Sequence, residues 1–294
     1  MSEPQYAQLP DGRRLAYQEY GDPNGSPVFF FHGWLGSRLD FAPNDELARA
    51  MGARVISVDR PGCGESDFQH DRRLLDWPQD IAATADAMRL EKFAVCGHSF
   101  GGPYVAACAH QLADRLTSAA IVAGISPLSF DGATRGMPAL VRLVLWLGGR
   151  APVLTRPYVS FMARMANKPD TVAKGIRSQL TDDELALLET PRFDGFFENL
   201  AEMTKHGSEG AYWDARVFLG EWGFECADIE MPVALFYGTD GRSVPIQMGE
   251  YYRNAIPKST ASFYQGEGHF IMHSRAEEIV NSLTGNQLST ETVR

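Results

Sequence analysis

The 294-residue sequence predicts an α/β fold: a mostly parallel sheet carrying an inserted helical segment. Three observations carry this. Short, wholly apolar runs such as Val28-Phe29-Phe30-Phe31 recur along the chain. Helical patterns fall between them, and the alternation stops from about Ser126 to about Gly210. Continuous apolar strands, as opposed to alternating ones, need cover on both faces, which a parallel sheet flanked by helices supplies.

In chain order, the start reads as a hairpin. An alternating stretch reaches Leu9, Pro10-Asp11-Gly12 supplies turn chemistry, and Leu15-Ala16-Tyr17 continues with period two. Apolar strands follow at 28–31, 54–58, 93–96, 119–122 and 233–237. Asp76 is placed to cap a helix that opens with Trp77 and Pro78 and aligns Ile81, Ala85 and Met88 on one face. A second helix follows Ser99 and directs Tyr104, Val105 and Cys108 inward. Strands alternating with helices imply βαβ units.

From 127 to 210 the chain reads as helical pieces broken by Gly and Pro, without a strand-like run. Met137, Leu140, Leu143, Val144, Phe161, Met162, Met165, Phe196, Phe197 and Met203 read individually as helix core and together suit an apolar lid. The expected organisation is a sheet domain from residues 1–126 and 211–294 with a helical cap at 127–210.

The hydrophobic fraction of 44% and charged fraction of 22% match a globular chain and argue against disorder. Lys plus Arg number 27 against 37 Asp plus Glu, a net charge of −10. A nucleic-acid partner would need a local basic patch, and no Lys/Arg cluster supplies one. Cys63, Cys96, Cys108 and Cys226 lack C-x-x-C spacing and read as reduced thiols. Met1-Ser2-Glu3-Pro4 offers neither the basic nor the apolar part of a secretory signal. The most apolar run, Leu140 to Leu147, contains Arg142 and falls far short of the roughly 18 residues a spanning helix needs. These features predict a cytoplasmic protein, monomer or homodimer, with a small-molecule substrate of little or no charge. No nucleic-acid or membrane partner is expected, and no cofactor or metal.

The chemistry concentrates at strand ends. Gly97-His98-Ser99-Phe100-Gly101 fits G-x-S-x-G between an apolar strand and a helical pattern. A serine lifted out of a sheet needs a tight, strained turn, and bulky neighbours would clash there. His32-Gly33-Trp34 ends the strand 28–31 and suits a loop that turns a backbone N–H toward Ser99. The second oxyanion donor is the N–H of Phe100. His32 itself reads as structural, its ring bonded to nearby backbone. His269, in Gly266-Glu267-Gly268-His269-Phe270, is the candidate base, with His273 as fallback. Asp240 follows the strand 233–237 and completes the chain order Ser…acid…His. A substrate pocket is assigned to Trp34, His98, Met162 and Phe197.

Taken together, these residues resemble the α/β-hydrolase fold family, and the resemblance covers nearly the whole chain. It rests on Pro10-Asp11-Gly12, His32-Gly33, Asp59 through Ser66, the Ser99 turn, Trp222 through Pro232, Gly238 through Pro245, and Gly268-His269-Phe270. The resemblance implies an eight-stranded, mostly parallel sheet with a helical cap after the sixth strand. It also implies Ser99 as nucleophile, His269 as base, and the amides of Trp34 and Phe100 as the oxyanion hole. The acid departs from the family pattern G-x-x-D-x-x-V-P. Gly241 occupies the usual acid position, and Asp240 comes one residue early. The alternatives to Asp240 are an acid from elsewhere, with Asp131 a distant candidate, or a weakened dyad.

The expected activity is therefore hydrolysis of an ester or lactone of a moderately apolar small molecule through a Ser-His-Asp triad and an acyl-enzyme. The alternative is a non-hydrolytic, ligand-binding or cofactor-free member of the same fold with an impaired triad.

Overall fold

The strands are β1 (Gln5–Gln8), β2 (Arg14–Gly21), β3 (Ser26–Phe31), β4 (Ala53–Val58), β5 (Phe93–His98), β6 (Leu116–Val122), β7 (Val233–Gly238) and β8 (Ser259–Tyr264). They form one eight-stranded sheet in the order β1-β2-β4-β3-β5-β6-β7-β8. β1 and β2 pair antiparallel, as do β2 and β4, and every other pair is parallel. The computed structural model describes residues 3–130, 132–166, 168 and 180–285, with the backbone alone for Phe197. Asp131 lies outside them.

The hairpin closes at Gly12, whose φ of +91° suits the turn, and the Leu9 N–H donates to the Arg13 carbonyl at 2.8 Å. Helices α1 (Asp45–Ala50), α2 (Trp77–Ala87) and α3 (Gly102–Gln111) lie among the first six strands. Between β6 and β7 come α4 (Ala139–Arg150), α5 (Arg156–Ala166), α6 (Asp182–Leu188), α7 (Phe196–Met203) and α8 (Glu209–Leu219). The chain continues with α9 (Ile246–Ala255), α10 (Ile271–Ser274) and α11 (Ala276–Thr284).

The apolar strands owe their composition to two cores, one on each face. Along β3, Val28 and Phe30 pack with Phe41, Ala48, Ile279 and Val280. Phe29 and Phe31, pointing the other way, pack with Trp77, Ile81, Tyr104 and Val105. Period two thus divides one apolar run between two helical layers. Phe29 and Phe31 are fully buried, and each such side chain contributes about 1.5–3 kcal/mol. The four cysteines are buried and unbridged.

Three expectations need correction. Asp76 is the N-cap residue of α2, but its side chain makes no capping bond there; its Oδ2 accepts from the Arg73 N–H at 2.8 Å, closing the preceding turn. The boundary drawn at residue 210 falls inside α8. The apolar residues of the insert are not uniformly core. Met137 and Met203 are buried, but Leu140, Leu143 and Phe161 are more than half exposed. A short helix resting on one neighbour buries a single stripe, and on α4 Leu145 and Gly148 take it.

The insert folds over the carboxyl ends of the parallel strands. The Trp34 indole donates to the Ala211 carbonyl, Asn199 Oδ1 accepts from the Ser37 N–H and hydroxyl, and Arg38 pairs with Glu202. No helix among the described residues is long and apolar enough to cross a membrane.

Candidate active site

Ser99 sits at the tip of β5 with φ of +55°, a left-handed backbone that a serine adopts only under strain. The flanking glycines let the turn close. A Cβ on Gly97 would collide with the Gly101 carbonyl, and one on Gly101 would collide with the Phe31 carbonyl. The residue is only 5% exposed.

The loop after β3 meets Ser99 from one side. A Cβ on Gly33 would lie 3.3 Å from that of Ser99. Arg60, after β4, donates to the His32 carbonyl at 2.5 Å and to the Gly33 carbonyl at 3.0 Å. The Gly33–Trp34 peptide is trans, so fixing its carbonyl against Arg60 points the Trp34 N–H the opposite way. That N–H has no acceptor among the described residues. Arg60 is held in turn by Asp214 of α8 at 2.8 Å, and Asp214 also takes Arg72 and the Tyr104 hydroxyl. Burial disfavours the Asp214 carboxylate, but Arg60 and Arg72 outweigh it and bring its pKa down to about 2. His32 is buried, its Nδ1 2.7 Å from the Gly33 carbonyl, and burial together with Arg60 pushes its pKa down to about 3.

His269 lies between β8 and α10. His98, the residue before Ser99, donates through Nε2 to the His269 carbonyl at 3.0 Å, and the two rings stand 4.8 Å apart. Ser99 and His269 are thus gathered around His98, although no hydrogen bond joins them among the described residues. His269 Nδ1 is buried without a partner among the described residues. Burial first, then the neighbouring His98, lowers the His269 pKa to about 3, so its imidazole is neutral. His273 lies on α10, bonded to Asn44 rather than turned toward Ser99.

Asp240 is not on His269. Its carboxylate is exposed and accepts from the Thr239 hydroxyl at 2.7 Å. Only its backbone reaches the base loop, the Asp240 N–H donating to the Glu267 carbonyl at 2.9 Å. A side chain at Gly241 would press on the Val244 carbonyl, 2.7 Å from its Cβ.

Two other carboxylates surround the site. Asp40 Oδ2 accepts from the Gly33 N–H at 3.3 Å and lies 3.9 Å from His98 Nδ1, while Oδ1 accepts from Asn199 at 2.9 Å. Burial opposes its ionisation, but the neighbouring His98 ring outweighs it and brings its pKa down to about 2. Glu184 of α6 takes the Phe270 N–H at 2.5 Å and the Thr181 N–H at 2.8 Å. A Cβ on Gly268 would overlap that carboxylate. Glu184 had a legible signal in the capping box Thr181-x-x-Glu184; Asp40, seven residues past Gly33, had none.

Of the residues assigned to a pocket, Trp34 and Met162 share one apolar cluster with Val159 and Met203, and Trp34 packs 6.1 Å from Phe100. His98 lies against Asp40 and His269. Phe197 is on α7, its side chain outside the described residues. A cavity of about 200 Å³ beside Asp40 is lined by Gln18, Tyr20, Phe196 and Asn199, not by Ser99 or His269.

A family model described as alpha/beta hydrolase fold matches residues 26–276. The chain belongs to the alpha/beta hydrolase fold family. Among its relatives in this family, a non-heme chloroperoxidase of Streptomyces lividans is 28% identical, the match covering 91% of this chain and 93% of that protein. A bifunctional esterase/perhydrolase of Acinetobacter calcoaceticus is 23% identical, covering 95% and 97%. Among solved structures, the enol-lactonase of Burkholderia xenovorans superimposes with a TM-score of 0.67 at 17% identity, covering 95% and 97% of the two chains. That likeness bears on the fold alone.

Proposed function

We propose that this alpha/beta hydrolase cleaves an ester or lactone of a moderately apolar small molecule through an acyl-enzyme on Ser99. The observation that carries the reading is the strained Ser99 turn facing a loop whose Trp34 N–H is held ready by Arg60. The Ser99 Oγ attacks the substrate carbonyl while His269 takes its proton. The Trp34 and Phe100 amides hold the tetrahedral oxyanion, a service worth several kcal/mol in such sites. His269 then protonates the leaving alkoxide and activates the water that releases the acid. The esterase and perhydrolase named among the relatives support this class. The insert acts as a cap and opens to admit substrate, since Ser99 is nearly covered.

The reacting pair in this reading is Ser99 and His269. A second reading adds Asp240 as the acid once substrate is bound. Its N–H rests on the Glu267 carbonyl, two residues before His269.

An organophosphonate probe tests the proposal. The expected result is one covalent adduct, located on Ser99 and abolished by Ser99→Ala. A folded protein that forms no adduct overturns the hydrolase reading. An adduct without turnover of p-nitrophenyl esters or aryl lactones overturns the substrate class.

A further inference from the structure

The charge of the chain is unevenly placed. From Gly132 to Lys168 there are six cations and no acid, in a protein of net charge −10. The cations are Arg135, Arg142, Arg150, Arg156, Arg164 and Lys168, spaced so widely that the sequence reads as having no basic cluster. Arg156 is paired with Glu209; Arg135, Arg142, Arg150 and Arg164 carry no ion pair among the described residues. Among the described residues, the same stretch holds nearly all the exposed large apolar side chains: Leu140, Leu143, Trp146, Val153, Leu154 and Phe161, each between 51% and 64% exposed. On α4, Leu140, Leu143 and Trp146 recur every three residues, and the Arg150 guanidinium lies 4.6 Å over the Trp146 ring. Apolar side chains of this size rarely crowd one solvent-facing stretch unless something covers it.

We propose that α4, α5 and the turn between them form a docking surface for an anionic lipid bilayer. An interfacial helix carries Leu and Trp toward the acyl boundary and Arg toward the headgroups, which is the arrangement on α4. At 12 residues α4 is about 18 Å long, too short to span and suited to lie in the interface. The charge decides between occupants. A second copy of the chain would set Arg142, Arg150 and Arg164 against the same three cations, whereas a surface of anionic headgroups complements them. This replaces the expectation of no membrane partner for that one face.

The test is flotation of the full chain with vesicles of phosphatidylcholine alone and with about 30% phosphatidylglycerol. The expected result is binding to the anionic vesicles only, released by raised salt. Trp146→Glu, and separately Arg142→Glu with Arg150→Glu, weaken it at least tenfold while the folded far-UV spectrum is kept. Absence of binding to anionic vesicles at low salt overturns the proposal. Equal binding to both vesicles overturns its electrostatic half. A dimer by light scattering that Trp146→Glu dissociates, without vesicle binding, assigns the face to a second copy instead. The measurement involves no turnover, so it stands apart from the hydrolase reading.

Discussion

The Glu184 carboxylate of the insert holds the Phe270 backbone N–H at 2.5 Å, one residue past His269, whose own Nδ1 has no partner. The His269 loop is therefore fixed from the insert side through its backbone. Glu184→Ala leaves the buried Phe270 N–H without its acceptor and frees the half-buried Thr181 N–H, a cost of about 1–3 kcal/mol. Thermal unfolding and the rate of phosphonate labelling both register the change, and Glu184→Gln, which keeps an acceptor oxygen, restores most of the labelling rate. Equal labelling by the Ala and Gln variants would detach Glu184 from the base.

Asp240→Asn lowers kcat/KM by less than about tenfold, because the carboxylate rests on Thr239 and not on the imidazole. Steady-state kinetics on an ester substrate check this. A loss of about 10⁴-fold with the fold intact would place Asp240 on His269 during turnover.

Acid weakens the fold well above the carboxylate range. His32, His269 and His273 are held neutral, with pKa values of about 3 against 6.5 when unfolded. The unfolded chain binds more protons between those values, so stability is complete above pH 6.5 and falls as pH drops toward 3. Each histidine contributes a slope of about 1.4 kcal/mol per pH unit. Denaturant midpoints between pH 8 and 4 give the slope, and His273→Gln reduces it by about a third. A midpoint unchanged down to pH 4.5 contradicts the buried neutral assignment. Over the folded range kcat/KM shows no limb near 6.5, since His269 does not take up a proton there.

Asp214→Ala strands the buried guanidinium groups of Arg60 and Arg72, and costs about 3–5 kcal/mol. Asp86→Ala, which removes the exposed partner of Arg115, costs less than about 1 kcal/mol. Chemical denaturation of the two variants gives the comparison. Labelling of Ser99 also slows in the first, since Arg60 no longer fixes the His32 and Gly33 carbonyls.

The sheet was legible because local signals agree with the fold: apolar runs mark β3 to β7, and Pro10-Asp11-Gly12 marks the hairpin. The Ser99 turn was legible because its two glycines answer to steric collisions between residues close in sequence or in adjacent strands. What was not legible depends on distance along the chain. Nothing near Asp40 announces that it will face His98, and nothing near Arg60 announces Asp214. The helix faces of the insert were misjudged for a related reason. A 3.6-residue period shows that α4 is amphipathic in part, but only its neighbour α8 determines which stripe is buried.

The dependence of Arg60 on Asp214 also bears on the order in which the protein is made. His32 and Gly33, whose carbonyls Arg60 holds, are synthesised early, as are the strands that carry them. The carboxylate that neutralises Arg60 emerges from the ribosome some 150 residues later. Until then the guanidinium has carbonyl partners but no counter-charge, and β7 and β8 are also still to come. A nascent chain stalled before residue 214 is therefore expected to hold the Ser99 turn without a finished anion-binding loop beside it.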